Sequence, residues 1–135
     1  MTVRIVRLGT PRHPQEGTRI GTVRRPPRGV PKAAFASGDW YDVWYPNLSP
    51  TPELVKRALA SQADSSAAGE KEWAAFTRGY KAEMKQPGNA RTIELLAALS
   101  QTANFSVGCY CENEARCHRS ILRGLLEEAG AQMGD

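Results

Sequence analysis

Near the end of the chain, the segment SVGCYCENEARCHRSIL (residues 106–122) gathers all three cysteines with a histidine and two arginines. Thiols and imidazole serve as nucleophile and base or as soft metal ligands, and guanidinium groups hold oxyanions. On one reading Cys109 or Cys117 attacks an electrophile, His118 carries the proton and Arg119 clamps the developing charge. A helix opening at about Cys117 would put that thiol at the positive end of the helix and favour its thiolate, with Arg116 adding to the field. The chemistry is not of the protein tyrosine phosphatase type, whose arginine stands six positions after the nucleophile: those positions are Ala115 counted from Cys109 and Cys117 counted from Cys111.

Other readings remain open. Cys109, Cys111, Cys117 and His118 form a candidate Cys3His set for zinc, although structural zinc sites usually space their paired cysteines by two to four residues. Cys109 and Cys111 point the same way from a strand, but adjacent Cys117 and His118 at a helix start diverge by about 100°. The loop would also allow Cys109 or Cys111 to fold back onto Cys117 as a reversible disulfide, without a Cys-x-x-Cys motif. Finally, cysteines pack as small core residues. The main reading needs no cofactor, with zinc as the alternative.

The elements around the segment must position it. FSVGCYC reads as a buried strand, and CHRSILRGLLEEAG puts Ile121, Leu122, Leu125 and Leu126 on one helix face before Gly130. The result is a strand–loop–helix turn, which in α/β folds places a ligand at the carboxyl end of the sheet. TVRIVRL and RIGTV read as strands. SPTPELVKRALA reads as a helix with Thr51 as cap and Pro52 at its first position. EKEWAAFTRGYKAEMKQ spaces Trp73, Phe76, Tyr80 and Met84 as a second helix ending near Pro87, and Asn89 is a cap for a third, ARTIELLAALSQ. Trp40, Tyr41, Trp44 and Tyr45 are expected to fill the core. The fold class is α/β, one small domain over residues 1–135 with a short sheet and several packing helices.

Composition agrees: 135 residues, 41% hydrophobic and 24% charged, are the mixture of one globular domain. No apolar run is long enough for a membrane span, and no signal-peptide pattern opens the chain, so a cytoplasmic protein is expected, with no membrane partner. The net charge of +4 is unevenly spread, with +7 in residues 1–32 and −3 in the rest. The proline-stiffened stretch RRPPRGVPK reads as an anion loop through Arg25 and Arg28. Its partners would be a small anionic, phosphate-like ligand or, on a further alternative, nucleic acid.

Taken in order, Arg7 and Gly9, Gly17 to Ile20, the P-R-G-V-x-K stretch (Pro27 to Lys32), the aromatic D-x-W-x-P-N-L-x-P stretch (Asp42 to Pro50), the W-x-x-F-x-x-x-Y helix (Trp73, Phe76, Tyr80) and the C-x-C-x5-C-H-R motif (Cys109 to Arg119) resemble the domain of unknown function (DUF) 488 family. The resemblance implies a small bacterial or archaeal α/β domain whose enzymatic role is attributed to its cysteine-bearing end. Cys109, Cys117, His118 and Arg119 match recurring positions, Arg25 and Arg28 match its basic segment, and Cys111 stands where many members carry an acidic residue.

Overall fold

A parallel strand flanked on both sides must be apolar or small at every position, and Phe105–Cys109 meets that requirement. In the computed structural model, which describes residues 1–134, four strands form one parallel sheet: β1 (Val3–Arg7), β2 (Thr18–Gly21), β3 (Val43–Trp44) and β4 (Phe105–Cys109). Their order is β1-β4-β2-β3, so β4 is an inner strand and every one of its residues is buried. The helices are α1 (Pro52–Ala63), α2 (Ala67–Met84), α3 (Pro87–Leu99) and α4 (His118–Glu128). The expected α/β domain is therefore the observed one. Among the described residues no helix is long and apolar enough to cross a membrane.

Register decides which face meets the helices. Val3 and Thr18 pair with Phe105, and Ile5 and Ile20 pair with Val107, giving an apolar face. That face packs against Phe76 and Tyr80 of α2 and Leu122 and Leu126 of α4. On the opposite face Arg4 and Arg19 pair with Ser106. Here the loop after β1 lays Glu16 over the sheet, and Glu16 and Arg19 are 1% and 0% exposed. Arg19 Nε and Nη2 donate to the Glu16 carboxylate at 2.6 and 2.9 Å, and Ser106 Oγ donates to it at 2.6 Å. Arg19 Nη1 donates to the carbonyls of Thr10 and Asp39 at 2.9 and 2.7 Å. Asp42 accepts the Arg19 amide at 2.8 Å and both Arg12 Nη atoms at 2.7 and 3.2 Å. Much of the basicity of the first 32 residues is thus structural. Arg12 and Arg19 are ion-paired, and Arg24 donates to the carbonyls of Ser49 and Pro50.

Several local expectations shift. Helix α2 starts at Ala67, earlier than the Glu70 onset that the apolar spacing suggests, because Ser66 Oγ accepts the Ala68 amide at 3.3 Å and caps it. Pro52 opens α1 as expected, but the Thr51 side chain makes no capping bond. Helix α2 ends at Met84, near Pro87 as expected, and Pro87 itself occupies the first turn of α3, where its missing N–H costs nothing. Asn89 donates to the Glu83 carbonyl at 3.0 Å instead of capping. Gly130, at φ +93°, ends α4 in the left-handed conformation expected of it. The aromatic cluster divides: Tyr41 is buried and Tyr45 packs on the core, whereas Trp44 lies on the exposed edge strand β3, which the sequence reading did not include.

Candidate functional site

Strand β4 ends at Cys109, and the chain turns through a short 3-10 segment (Glu114–Arg116) into α4. Asn113 Oδ1 accepts the Ala115 amide at 3.1 Å and fixes that turn. The three cysteines are free thiols, with Cys109 and Cys117 buried and Cys111 half-buried. Cys109 Sγ and Cys117 Sγ lie 2.8 Å apart, and Cys117 Sγ lies 3.6 Å from His118 Nδ1. One ligand atom from each of Cys109, Cys117 and His118 falls within 4.8 Å of the others. Cys111 lines the same cavity as Cys109, Cys117 and His118. The expected divergence of Cys117 and His118 does not arise, because Cys117 is the N-cap. Its backbone is extended, at φ −132° and ψ 154°, so the helical rotation between neighbours does not apply.

His118 is held in one tautomer. Its Nε2 donates to the Thr22 carbonyl at 2.8 Å and lies 3.1 Å from Thr22 Oγ1, which itself donates to the Gly108 carbonyl at 3.0 Å. A carbonyl only accepts, so Nε2 carries the proton and the Nδ1 lone pair faces Cys117. The ring packs against Tyr80 with centroids 5.5 Å apart. Burial pushes the His118 pKa down to about 4, keeping the ring neutral around pH 7.

Charge among the thiols belongs on Cys111. Hydrogen bonds from Cys109 and then Cys117 hold its pKa well below the ordinary thiol range. Burial and donation to Cys111 push Cys109 far up. For Cys117, the contact with Cys109 acts downward, but the neighbouring Cys111 and burial carry it up to about 11. These shifts favour a thiolate on Cys111, whereas the helix-terminus argument favours one on Cys117.

Arg119 is buried behind this group. Its Nη2 donates to the Cys111 carbonyl, and its Nε has no hydrogen-bond partner among the described residues. Arg116 turns the other way: it donates to the Gly69 carbonyl at 3.3 Å, approaches Glu70 at 3.6 Å and lies 5.9 Å over the Trp73 ring. Those contacts fasten the loop to α2, and Arg116 does not join the thiols.

A cavity of about 290 Å³ opens over the thiols, walled mainly by apolar side chains including Val23, Pro50, Val55 and Phe76, with Arg25 also lining it. Arg28 lines a neighbouring cavity instead. The sequence reading missed Thr22, whose carbonyl sets the histidine tautomer; nothing in a Gly-Thr-Val string signals that role.

A protein-family model described as "DUF488-N3a: Active DUF488-N3 subclade" matches residues 3–130. No curated protein and no solved structure matches the chain.

Proposed function

The chain belongs to the DUF488 family, and from that premise and the thiol geometry we propose a cysteine-dependent enzyme that takes a small anionic ligand into the cavity at the end of β4. The observation that carries the reading is the gathering of Cys109, Cys117 and His118 at the end of β4, with the half-buried Cys111 beside them on the wall of the same cavity. Cys111 is the nucleophile, and Cys109 and Cys117 hold its charge by donating to it. Neutral His118 turns its Nδ1 lone pair to Cys117 Sγ at 3.6 Å, so it can take the Cys117 proton once Cys111 is engaged and no longer accepts it. Arg119 fixes the Cys111 backbone and keeps positive charge beside the cluster. The description of the matching subclade as active supports a reaction rather than passive binding.

Alkylation of each cysteine by iodoacetamide as a function of pH, read by mass spectrometry on metal-free protein, tests this. Cys111 is expected to react first and to reach half its maximal rate below about pH 7, where an ordinary thiol of pKa near 8.5 is mostly protonated. Uniformly slow reaction of all three up to about pH 8 would overturn the assignment.

A second reading is favoured by a separate observation, the clustering of Cys109, Cys117 and His118 with the histidine's other nitrogen anchored on a carbonyl. Metal-bound histidines are commonly oriented in this way, and two thiolates with an imidazole suit zinc, Cys111 lying outside the cluster. On this reading one equivalent of zinc protects Cys109 and Cys117 from alkylation and raises the Tm, and a chelator reverses both effects. Full alkylation in the presence of stoichiometric zinc would exclude it.

A further inference from the structure

The basic segment keeps some cations that the fold does not consume. Arg7, Arg25 and Arg28 line a second cavity of about 840 Å³ together with Trp40 and Tyr110, and no acidic side chain lines it. None of the three arginines forms an ion pair among the described residues. Arg7 Nε donates to the Tyr110 carbonyl at 3.3 Å, and among the described residues no side-chain hydrogen bond ties down Arg25 or Arg28. Arg28 stands in a tight turn closed by the Val30 amide on the Pro27 carbonyl, with Gly29 at φ +75° as the turn requires. Trp40 and Tyr110 meet edge to face with centroids 6.0 Å apart, giving the cavity an aromatic side.

This cavity is not separate from the thiols. Arg25 and Tyr110 line both cavities, and the Tyr110 hydroxyl donates to the Arg25 carbonyl at 2.7 Å, so the two residues form a common wall. On one side of that wall lie unpaired guanidinium groups; on the other lie apolar side chains and the thiol cluster. A ligand suited to both has a doubly charged oxyanion at one end and a less polar group at the other.

Resting on the reading of the thiol cavity as the reactive site, we propose that the two cavities are one bipartite site for a small organic phosphate. The phosphate sits on Arg7, Arg25 and Arg28, and the organic group passes over Tyr110 toward Cys111. Arginine suits this task because its planar fork matches phosphate oxygens two at a time.

Phenyl phosphate is the probe, with inorganic phosphate and phenol as its two halves, titrated calorimetrically into wild type, Arg25→Gln/Arg28→Gln and Cys111→Ser. Phenyl phosphate is expected to bind wild type and to lose on the order of tenfold or more in the arginine variant, with binding still detectable in Cys111→Ser. It should also shield Cys111 of the wild type from iodoacetamide, whereas inorganic phosphate binds without shielding and phenol alone binds more weakly than either. Equal affinity for wild type and the arginine variant, or binding with no protection of Cys111, overturns the bipartite site. A single-stranded oligonucleotide that binds with a steep salt dependence while phenyl phosphate does not bind also overturns it, in favour of a nucleic-acid groove. Because binding is read in Cys111→Ser as well, failure here is distinguishable from failure of the thiol assignment, which is read by alkylation without phosphate.

Discussion

Replacing Glu16 with Gln is expected to destabilise the protein by about 3–5 kcal/mol at pH 7, the usual cost of leaving one member of a buried ion pair without its partner. The pair is 0% and 1% exposed, and the carboxylate is the charge partner of Arg19 Nε and Nη2. Glutamine keeps the shape and one oxygen but leaves the guanidinium charge uncompensated. Against a total stability of roughly 5–15 kcal/mol, this is among the most damaging isosteric changes expected in the chain. The pH dependence supplies a sharper check. Burial alone would raise the Glu16 pKa, but hydrogen bonds from Arg19 and Ser106 overcome it and bring the pKa down from 4.5 to about 2. A carboxyl whose folded pKa is depressed stabilises the fold above its unfolded value, and that contribution is lost as pH falls from about 4.5 toward 2. The shift corresponds to about 3 kcal/mol. The gap between wild type and Glu16→Gln in urea unfolding should therefore narrow between pH 5 and pH 2. A difference below about 1 kcal/mol at pH 7, or one that does not change with pH, would show that the pair does not carry this weight.

That pair also marks where the sequence stopped being legible. Strands β1 and β2 and all four helices could be read from apolar spacing, and β4 from its unbroken run of apolar and small residues, buried at every position. The charge surplus of the first 32 residues could be counted, but its disposition could not. Arg12 is balanced by Asp39 and Asp42, and the buried Glu16–Arg19 pair is bonded to Ser106, 90 positions away. The two-residue strand β3 left no trace, since both of its residues are exposed and it has no alternating pattern to detect. At the site, Cys109, Cys117, His118 and Arg119 were all picked out by residue type and are brought together. Arg116 was picked out on the same grounds and points to Trp73 instead, because side-chain direction in a turn depends on backbone angles that residue type does not encode. The assignment of charge to Cys111 required knowing who donates to whom. An argument from helix termini favours Cys117, the shifts favour the half-buried Cys111, and residue type does not distinguish the two.

The assignment makes a strong prediction about Cys109 and Cys117, which it casts as donors rather than nucleophiles. Replacing both with Ala removes the two S–H groups that hold the Cys111 thiolate, so its pKa should climb by at least about 2 units toward the 8.5 of an ordinary cysteine. Thiolate ultraviolet absorbance against pH reads this directly. At pH 6 the thiolate fraction falls by about two orders of magnitude, and the greater nucleophilicity of a more basic thiolate returns part of that loss. The alkylation rate of Cys111 should then drop on the order of tenfold. Serine at the same two positions separates donation from packing, since a hydroxyl still donates: the double Ser variant should keep a Cys111 pKa well below that of the double Ala variant. If instead Ala and Ser shift Cys111 equally, the depressed pKa comes from the surroundings, Gln62 and His118 among them. If Cys111 does not move at all and reactivity at pH 6 disappears with Cys117, then Cys117 is the nucleophile. The neutral Nδ1 of His118, 3.6 Å away, would become its base.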